Sequence, residues 1–341
     1  MGENPVANFF SKKCEKEGEV VQLFLIFPVA MRGWLSKYRG FEQHLEEIRV
    51  RTGQPFQFLY GDRSYFLCKR GENFYFVKEK EPAVAEDGYR ATGDMVREML
   101  SYISRYSLYA YQEELREGFL TIAGGHRVGV AGQAVLSGGR VTGISPVTFL
   151  NIRIAHERKG STKAVWRFIR ERDTVYNTLI LSAPGAGKTT MLRDLIRAVS
   201  DGELCGVCKK TGVVDERCEI AAADHGVPQT DLGPVTDVWS GCGKTDGIRM
   251  LLRSMSPEVL AVDELGNEAD FAAVEEVVNC GCKVLATIHA GSMEELSERK
   301  GVQGWMEKGI FQRFLHLEKK KDGTRRMTVY DKTGRKIGET E

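Results

Sequence analysis

The chain has 341 residues and a formal net charge of +1, with 42% hydrophobic and 28% charged residues, an ordinary composition for a globular protein. Its length predicts two domains or one large one. The near-zero charge excludes a general attraction to nucleic acid or membranes, although local patches stay possible. The longest apolar run, residues 23–31, contains Pro28 and is too short to span a bilayer. We expect this run to form a core strand or helix. We also expect the protein to be cytoplasmic and to reach membranes only through partners.

Residues 1–155 are predicted to form a smaller α+β domain. Apolar spacing favours helices at 41–50 and 95–103, and alternation predicts a hairpin of 56–60 and 65–68 around Gly61-Asp62. Further short strands are predicted at 74–77, 119–122, 126–130, 133–136, 141–144 and 149–154. Paired glycines at 124–125 and 138–139 supply two of the turns between them.

Residues 156–341 change to an alternation of apolar strands and helices. Strands are predicted at 178–181, 212–214, 259–262 and 283–288, with helices at 190–199 and 247–254 and a third helix capped by Asn267. This rhythm predicts a mainly parallel sheet covered on both faces. A C-terminal β-hairpin is expected around the basic residues 319–321 and 325–326. Ligands of such sheets lie at the carboxyl ends of the strands, which is where the polar motifs fall.

The strongest motif joins the strand at 178–181 to the helix that follows it. A glycine-rich turn there matches the pattern G-x-x-x-x-G-K-[ST] except that Ser182 replaces the first glycine. Backbone N–H groups of such a loop surround nucleotide phosphates at the positive end of the helix dipole. We predict that ATP binds to Ser182, Ala183, Pro184, Gly185, Ala186, Gly187, Lys188, Thr189 and Thr190. Lys188 would reach the β- and γ-phosphates and the Thr189 hydroxyl would ligate Mg²⁺. The alternative is a glycine turn that only connects two core elements.

A second signature follows the apolar strand 259–262. Asp263 stands where a magnesium ion would lie, and Glu264 is placed to polarise the attacking water. A carboxylate pair near a helix N-terminus is the structural alternative.

Two further strand ends carry polar residues. Asp215 and Glu216 are predicted to assist with the metal and with catalysis, and Arg217 to neutralise a phosphate or pair with a carboxylate. His289 is predicted to sense the γ-phosphate by hydrogen bonding. A solvated charged turn and an ordinary structural histidine are the alternatives for these positions.

Cysteines and arginines leave open questions. Cys205 and Cys208 have a spacing found in metal sites, and Cys280 and Cys282 lie elsewhere in the chain. A zinc site would need a second pair at suitable spacing, so free thiols in a reducing compartment are the simpler interpretation. If an arginine from a neighbouring subunit completes the site, Arg127, Arg153, Arg249 and Arg253 are candidates, each with an ordinary ion pair as its alternative.

With these motifs in view, the chain resembles the secretion-type ATPases of type II and type IV systems and type IV pili. Residues 286–290 and 215–219 resemble the histidine box and the aspartate box of that class, and residues 251–258 resemble the stretch before its second motif. Segments 113–119, 124–129, 151–155, 214–217 and 253–257 resemble, more closely, the stage III AA family of sporulation ATPases. The resemblance implies a RecA-like P-loop ATPase domain, assembly into a hexameric ring, and channel partners in the membrane between mother cell and forespore.

Two other functions remain as alternatives. A nucleic-acid-remodelling ATPase is one, because related ATPases carry nucleic-acid-binding modules, but the C-terminal basic stretch lacks interleaved aromatic residues. A nucleotide switch that binds ATP and hardly hydrolyses it is the other, and Glu264 argues against it.

Overall fold

The computed structural model describes residues 23–35, 44–61, 63–107, 111–116, 118–156, 159–320 and 324–340. The chain divides into two compact units, Met1–His156 and Glu157–Glu341. In the described ranges no helix has both the length and the apolar character needed to cross a membrane.

The first unit contains an antiparallel sheet packed against helices. Within its described residues the sheet has seven strands in the order β4-β3-β2-β1-β7-β6-β5. The strands are β1 (Glu47–Arg51), β2 (Gln57–Tyr60), β3 (Arg63–Arg70), β4 (Asn73–Lys78), β5 (Phe119–Ile122), β6 (His126–Ser137) and β7 (Arg140–Arg153). The helices are α1 (Val29–Leu35), α2 (Ala83–Asp87), α3 (Gly93–Ile103) and α4 (Gln112–Arg116).

Helix α3 shows how this unit forms its core. The Thr92 side chain accepts the backbone N–H of Met95 and caps the helix start. Its apolar stripe, which includes Val96 and Met99, is buried in one cluster with the inner faces of the strands. The predicted helix at 41–50 is wrong for its described part, because Glu47–Arg51 forms strand β1. Ile48 and Val50 alternate into the core with a period of two, and pairing with β2 and β7 decides the conformation.

The other elements predicted for this unit either form as predicted or merge into longer strands. The hairpin of β2 and β3 forms as predicted, and the run at 23–31 leads into helix α1. Residue 62 of the hairpin turn, and residues 41–43 of the predicted helix, lie outside the described residues. The four short strands predicted between 126 and 154 are two long strands, β6 and β7, which pair along most of their length.

The second unit is an α/β sheet with helices on both faces. Its described part contains an eight-stranded sheet in the order β12-β11-β13-β14-β10-β15-β16-β17, parallel from β12 to β15 and antiparallel beyond. The strands are β10 (Thr178–Ser182), β11 (Thr211–Asp215), β12 (Thr236–Ser240), β13 (Val259–Leu265), β14 (Lys283–His289), β15 (Arg313–Lys319), β16 (Arg325–Asp331) and β17 (Lys336–Thr340). A small pair, β8 (Arg170–Glu171) and β9 (Thr174–Val175), lies apart from this sheet.

Two separate cores cover the faces of this sheet. The helices of the unit are α5 (Trp166–Ile169), α6 (Lys188–Ser200), α7 (Lys244–Ser254), α8 (Glu268–Asn279), α9 (Met293–Ser297) and α10 (Lys300–Lys308). Leu192 and Leu195 of α6 belong to one core, and Ile248 of α7 and Val274 of α8 belong to the other. Asn267 caps α8 through a capping box with Asp270, as its position in the sequence predicts. The parallel strands β10, β11, β13 and β14 therefore bring their carboxyl ends to one edge.

Candidate nucleotide-binding site

A loop with two left-handed glycines connects β10 to α6. Gly185 has φ +75° and Gly187 has φ +105°, conformations that a residue with a Cβ rarely adopts. Gly187 is the N-terminal cap of α6, and Lys188 is its first helical residue. In the described part of the chain, the backbone N–H groups of Gly185, Ala186 and Gly187 donate to no acceptor. Unpaired N–H groups at a helix N-terminus are suited to an anion.

Lys188 lies under this loop and contacts the end of β14. Its Nζ is 3.4 Å from both the backbone oxygen and the Oγ of Ser182, and 3.0 Å from Nδ1 of His289. Strand register causes the last contact, because Ser182 and His289 are direct partners in the β10–β14 pairing. Burial lowers the pKa of Lys188, while the charges of Asp263 and Glu264 oppose that shift.

His289 joins Lys188 to Glu264. The lysine ammonium can only donate, so Nδ1 of His289 accepts from it and Nε2 carries the ring proton. Nε2 then donates to Oε1 of Glu264 at 2.9 Å. The two neighbours of the ring therefore fix its tautomer.

Asp263 connects α6 to β14. Its Oδ2 accepts the Thr189 hydroxyl at 2.8 Å, and its Oδ1 accepts the Thr287 hydroxyl. Thr287 precedes His289 by two residues on β14, so both side chains point to the same face. This spacing is the sequence signal that would have identified Thr287 as part of the site.

Glu264 has an unusual backbone. Its φ is +52°, and the β13–β14 pairing shifts register between Val262 and Leu265. Irregularities of this kind are concentrated at functional sites, where they redirect a side chain. The Oε2 atom accepts from Arg217 at 2.7 Å. Burial raises the pKa of Glu264, but the hydrogen bond from His289 and the charge of Arg217 outweigh it, so the net shift is downward.

Asp215 and Glu216 differ in their surroundings. Both oxygens of Asp215 are used by the following loop: they accept the N–H groups of Glu219 at 2.8 Å, Ile220 at 3.0 Å and Ala221 at 2.7 Å. Burial raises the pKa of Asp215, although these bonds oppose the shift. The geometry gives Asp215 a loop-anchoring role, and its role toward a metal stays a prediction. Glu216 accepts from Lys244 at 2.5 Å beside this loop.

The site residues suit magnesium and a polyphosphate. A free N–H nest, a buried lysine and a hydroxyl beside a carboxylate are the groups that hold a magnesium nucleotide. The described residues contain no cluster of three or more His, Cys, Asp or Glu side chains placed to hold a metal by themselves. The structure therefore brings together the predicted residues from Ser182 to Thr190 with Asp263, Glu264 and His289.

The structure also describes the surroundings of the candidate arginines and cysteines. Arg127 and Arg153 are cross-strand partners on β6 and β7, and Arg249 pairs with Glu276 at 3.2 Å. Cys205 and Cys282 are free and buried thiols, and burial raises their pKa to about 11 and about 12. Sequence reasoning missed the Arg217–Glu264 pair as a specific contact and also missed Arg325, whose guanidinium lies beside Gly187.

The fold is similar to that of solved RecA-like secretion and pilus ATPases. The ATPase DotB of Legionella pneumophila has a TM-score of 0.51 at 15% identity, covering 94% of this chain and 82% of that one. The pilus retraction motor PilT with bound ADP has a TM-score of 0.55 at 13% identity, covering 88% of this chain and 81% of that one. At such identities the likeness establishes the fold, and it confirms the predicted α/β class.

The chain belongs to the sporulation stage III protein AA family. The family model "Sporulation stage III, protein AA" matches residues 15–337. Stage III sporulation protein AA of Bacillus subtilis (strain 168) is 36% identical over 318 residues, which cover 92% of this chain and 96% of that protein. The family predicted from the motifs is thereby confirmed.

Proposed function

We propose that this chain binds ATP with Mg²⁺ at the carboxyl edge of the second unit's sheet and hydrolyses it. The observation that carries the proposal is the linked set of contacts at the phosphate loop. Thr189 meets Asp263 at 2.8 Å, Lys188 meets His289 at 3.0 Å, and His289 meets Glu264 at 2.9 Å. A sheet that only needed stability would not require a buried lysine, an ion pair and a strained glutamate at one edge.

Binding and positioning are assigned to the loop and the first turn of α6. The N–H groups of Gly185 to Gly187 hold phosphate oxygens, and Lys188 neutralises the β- and γ-phosphates. Thr189 and Asp263 would hold the metal, Asp263 either directly or through water. Bound magnesium would polarise the phosphoryl group; the protein contributes orientation and charge.

Glu264 is the proposed general base. Its lowered pKa keeps the carboxylate ionised near neutral pH, so that it can accept a proton from water. His289 and Arg217 each hold one oxygen of this carboxylate and fix its direction. Because His289 also contacts Lys188, it links the group that faces the phosphates to the group that activates water. Glu216, held by Lys244, is proposed to assist from the neighbouring loop.

At the level of the cell, we propose an oligomeric ATPase that powers or assembles a secretion-like channel between mother cell and forespore. Family membership and the secretion-ATPase fold support this proposal. The protein would be cytoplasmic, would form a ring of six subunits, and would meet the membrane through integral channel components. The two units would act as separate domains, at 1–155 and 156–341.

The decisive experiment compares Glu264→Gln with the control Glu268→Gln, an exposed residue in the first turn of α8. We expect Glu264→Gln to retain MgATP binding and to lower phosphate release by about 100-fold or more, the size of a general-base contribution. The control should behave like the wild type. Lys188→Ala should lose most ATP affinity. Unchanged turnover in Glu264→Gln would refute the assigned base, and absence of MgATP binding by the wild type would refute the whole proposal.

Partner capture separates the motor from the nucleic-acid alternative. Glu264→Gln protein with ATP would be used to pull partners from membrane extracts of sporulating cells. Recovery of integral-membrane channel components supports the motor, whereas recovery of nucleic acid that is released by salt supports the remodelling ATPase.

A further inference from the structure

Arg325 approaches the phosphate loop from the same chain. It is the first residue of β16, far from the loop in sequence. A Cβ atom on Gly187 would lie 3.2 Å from Cζ and Nη1 of Arg325 and 3.3 Å from Nη2. The end of the Arg325 guanidinium therefore lies against the α-carbon of Gly187, the residue that caps α6.

Strand register explains how Arg325 reaches this place. Strand β15 runs parallel to β10, and the paired residues extend from Thr178↔Arg313 to Leu181↔His316. The last three residues of β15 therefore continue past the paired segment of β10, towards the phosphate loop. Arg325 is the antiparallel partner of Lys319, the final residue of β15. The hairpin thus begins its return strand at the level of the loop.

Arg325 differs from the arginine next to it. Arg326 forms an ion pair with Glu339 of β17 at 3.2 Å. The Arg325 side chain has no carboxylate or other hydrogen-bond partner in the part of the chain that the structure describes, whereas its backbone pairs with Lys319. The Arg325 guanidinium carries five N–H donors, is only partly exposed and lies beside unpaired backbone N–H groups. This arrangement of donors is suited to phosphate oxygens.

We propose that Arg325 binds the polyphosphate of the nucleotide in cis, as a binding residue supplied by the C-terminal hairpin. This inference rests on the proposed ATP site and adds to it a phosphate ligand outside the glycine-rich loop. The guanidinium and the loop N–H groups would then contact the phosphate chain from two sides. The φ of +105° favours glycine at position 187, and the Arg325 guanidinium lies next to the place that a Cβ would take.

The test measures binding by calorimetry, with MgATP, MgADP and magnesium tripolyphosphate as probes. Arg325→Ala is compared with Arg326→Ala, which removes the same charge from the neighbouring position. We expect Arg325→Ala to weaken all three probes by about 10- to 100-fold, as for the loss of a hydrogen-bonded charge. Arg326→Ala should stay within about twofold of the wild type, and Arg325→Lys should recover part of the affinity. Thermal unfolding of each variant checks that the fold is retained.

The outcomes separate this inference from the proposed function. If the wild type binds MgATP but Arg325→Ala and Arg326→Ala bind it equally, the role of Arg325 is wrong and the ATP site stands. If Arg325→Ala weakens the nucleotides but not tripolyphosphate, Arg325 contacts the nucleoside, and the proposal of a phosphate ligand is also wrong. If the wild type binds none of the probes, the proposed function fails together with the inference.

Discussion

Two carboxylates, Asp194 of helix α6 and Glu264 of strand β13, have opposite kinds of surroundings. In the middle of the helix, Asp194 is 3% exposed and accepts from Gly160 N–H at 2.8 Å, Thr162 N–H at 2.9 Å and Thr162 Oγ1 at 2.7 Å. Arg197 adds a contact at 3.3 Å. Burial raises the pKa of Asp194, but these hydrogen bonds outweigh it and the net shift is downward. These donors come from residues 160–162, which precede the helix in the chain, and from Arg197 of the same helix.

Near the start of α6, the carboxylate of Glu264 is held by side chains and, among the described residues, not by backbone N–H groups. His289 and Arg217 hold its oxygens, and both of these side chains are well exposed at 43% and 67%. Its backbone has a positive φ, whereas Asp194 has ordinary helical geometry. Burial alone therefore does not identify a functional carboxylate. Exposed side-chain partners and a strained backbone, as at Glu264, are better indicators.

The largest predicted effect tests the structural member of this pair. Asp194→Ala should lower the free energy of unfolding by about 3–5 kcal/mol, because Arg197 loses a partner and the N–H groups of residues 160 and 162 lose their acceptor. Urea denaturation measures the change. Asp246→Ala, an exposed position in the first turn of α7, is the control and should cost less than about 1 kcal/mol. A loss below about 1 kcal/mol for Asp194→Ala would show that its hydrogen bonds do not anchor the segment.

His126 extends the comparison to a basic group. Burial, with a smaller effect from the charge of His156, lowers the pKa of His126 to about 4, and Nδ1 accepts the N–H of Ala155 at 3.1 Å. The pKa of His126 in the folded state lies below its unfolded value of 6.5, so the unfolded state takes up the proton first as the pH falls. The free energy of unfolding is therefore at its full value above pH 6.5 and decreases as the pH falls towards 4. The loss should reach about 3 kcal/mol.

The measurement is the pH dependence of urea unfolding in the wild type and in His126→Asn. The asparagine oxygen can replace Nδ1 as acceptor but does not titrate. The variant should therefore lose most of the slope between pH 6.5 and 4. An unchanged slope would show that other groups cause the acid sensitivity.

Asp215 lies between these two cases. A substitution decides whether its role is structural, like that of Asp194, or functional, like that proposed for Glu264. Asp215→Asn should cost about 2 kcal/mol, because the amide nitrogen cannot accept the loop N–H groups that the carboxylate accepts. Magnesium-dependent ATP affinity should stay within about twofold. The metal role predicted from the sequence makes the opposite forecast: a small change in stability and a large loss of magnesium dependence.

Sequence reasoning reached the elements whose signal is local. The turn chemistry of Gly185 and Gly187, the apolar strand before Asp263 and the cap at Asn267 are all encoded by neighbours in the chain. It failed at residues 47–51, where pairing with two strands distant in sequence overrides a helical pattern. It also missed Arg325, because the approach to Gly187 depends on the register of β15 against β10.

The smallest effect concerns the strain at Glu264. Glu264→Asn and Glu264→Gln both remove the charge, and both should lower hydrolysis by about 100-fold or more. Asparagine tolerates a positive φ better than glutamine, so Glu264→Asn should be the more stable of the two by about 1 kcal/mol. Chemical denaturation of the two variants side by side gives this difference. Equal stabilities would mean that the backbone at Glu264 stores no strain, and the positive φ would then no longer distinguish it from Asp194.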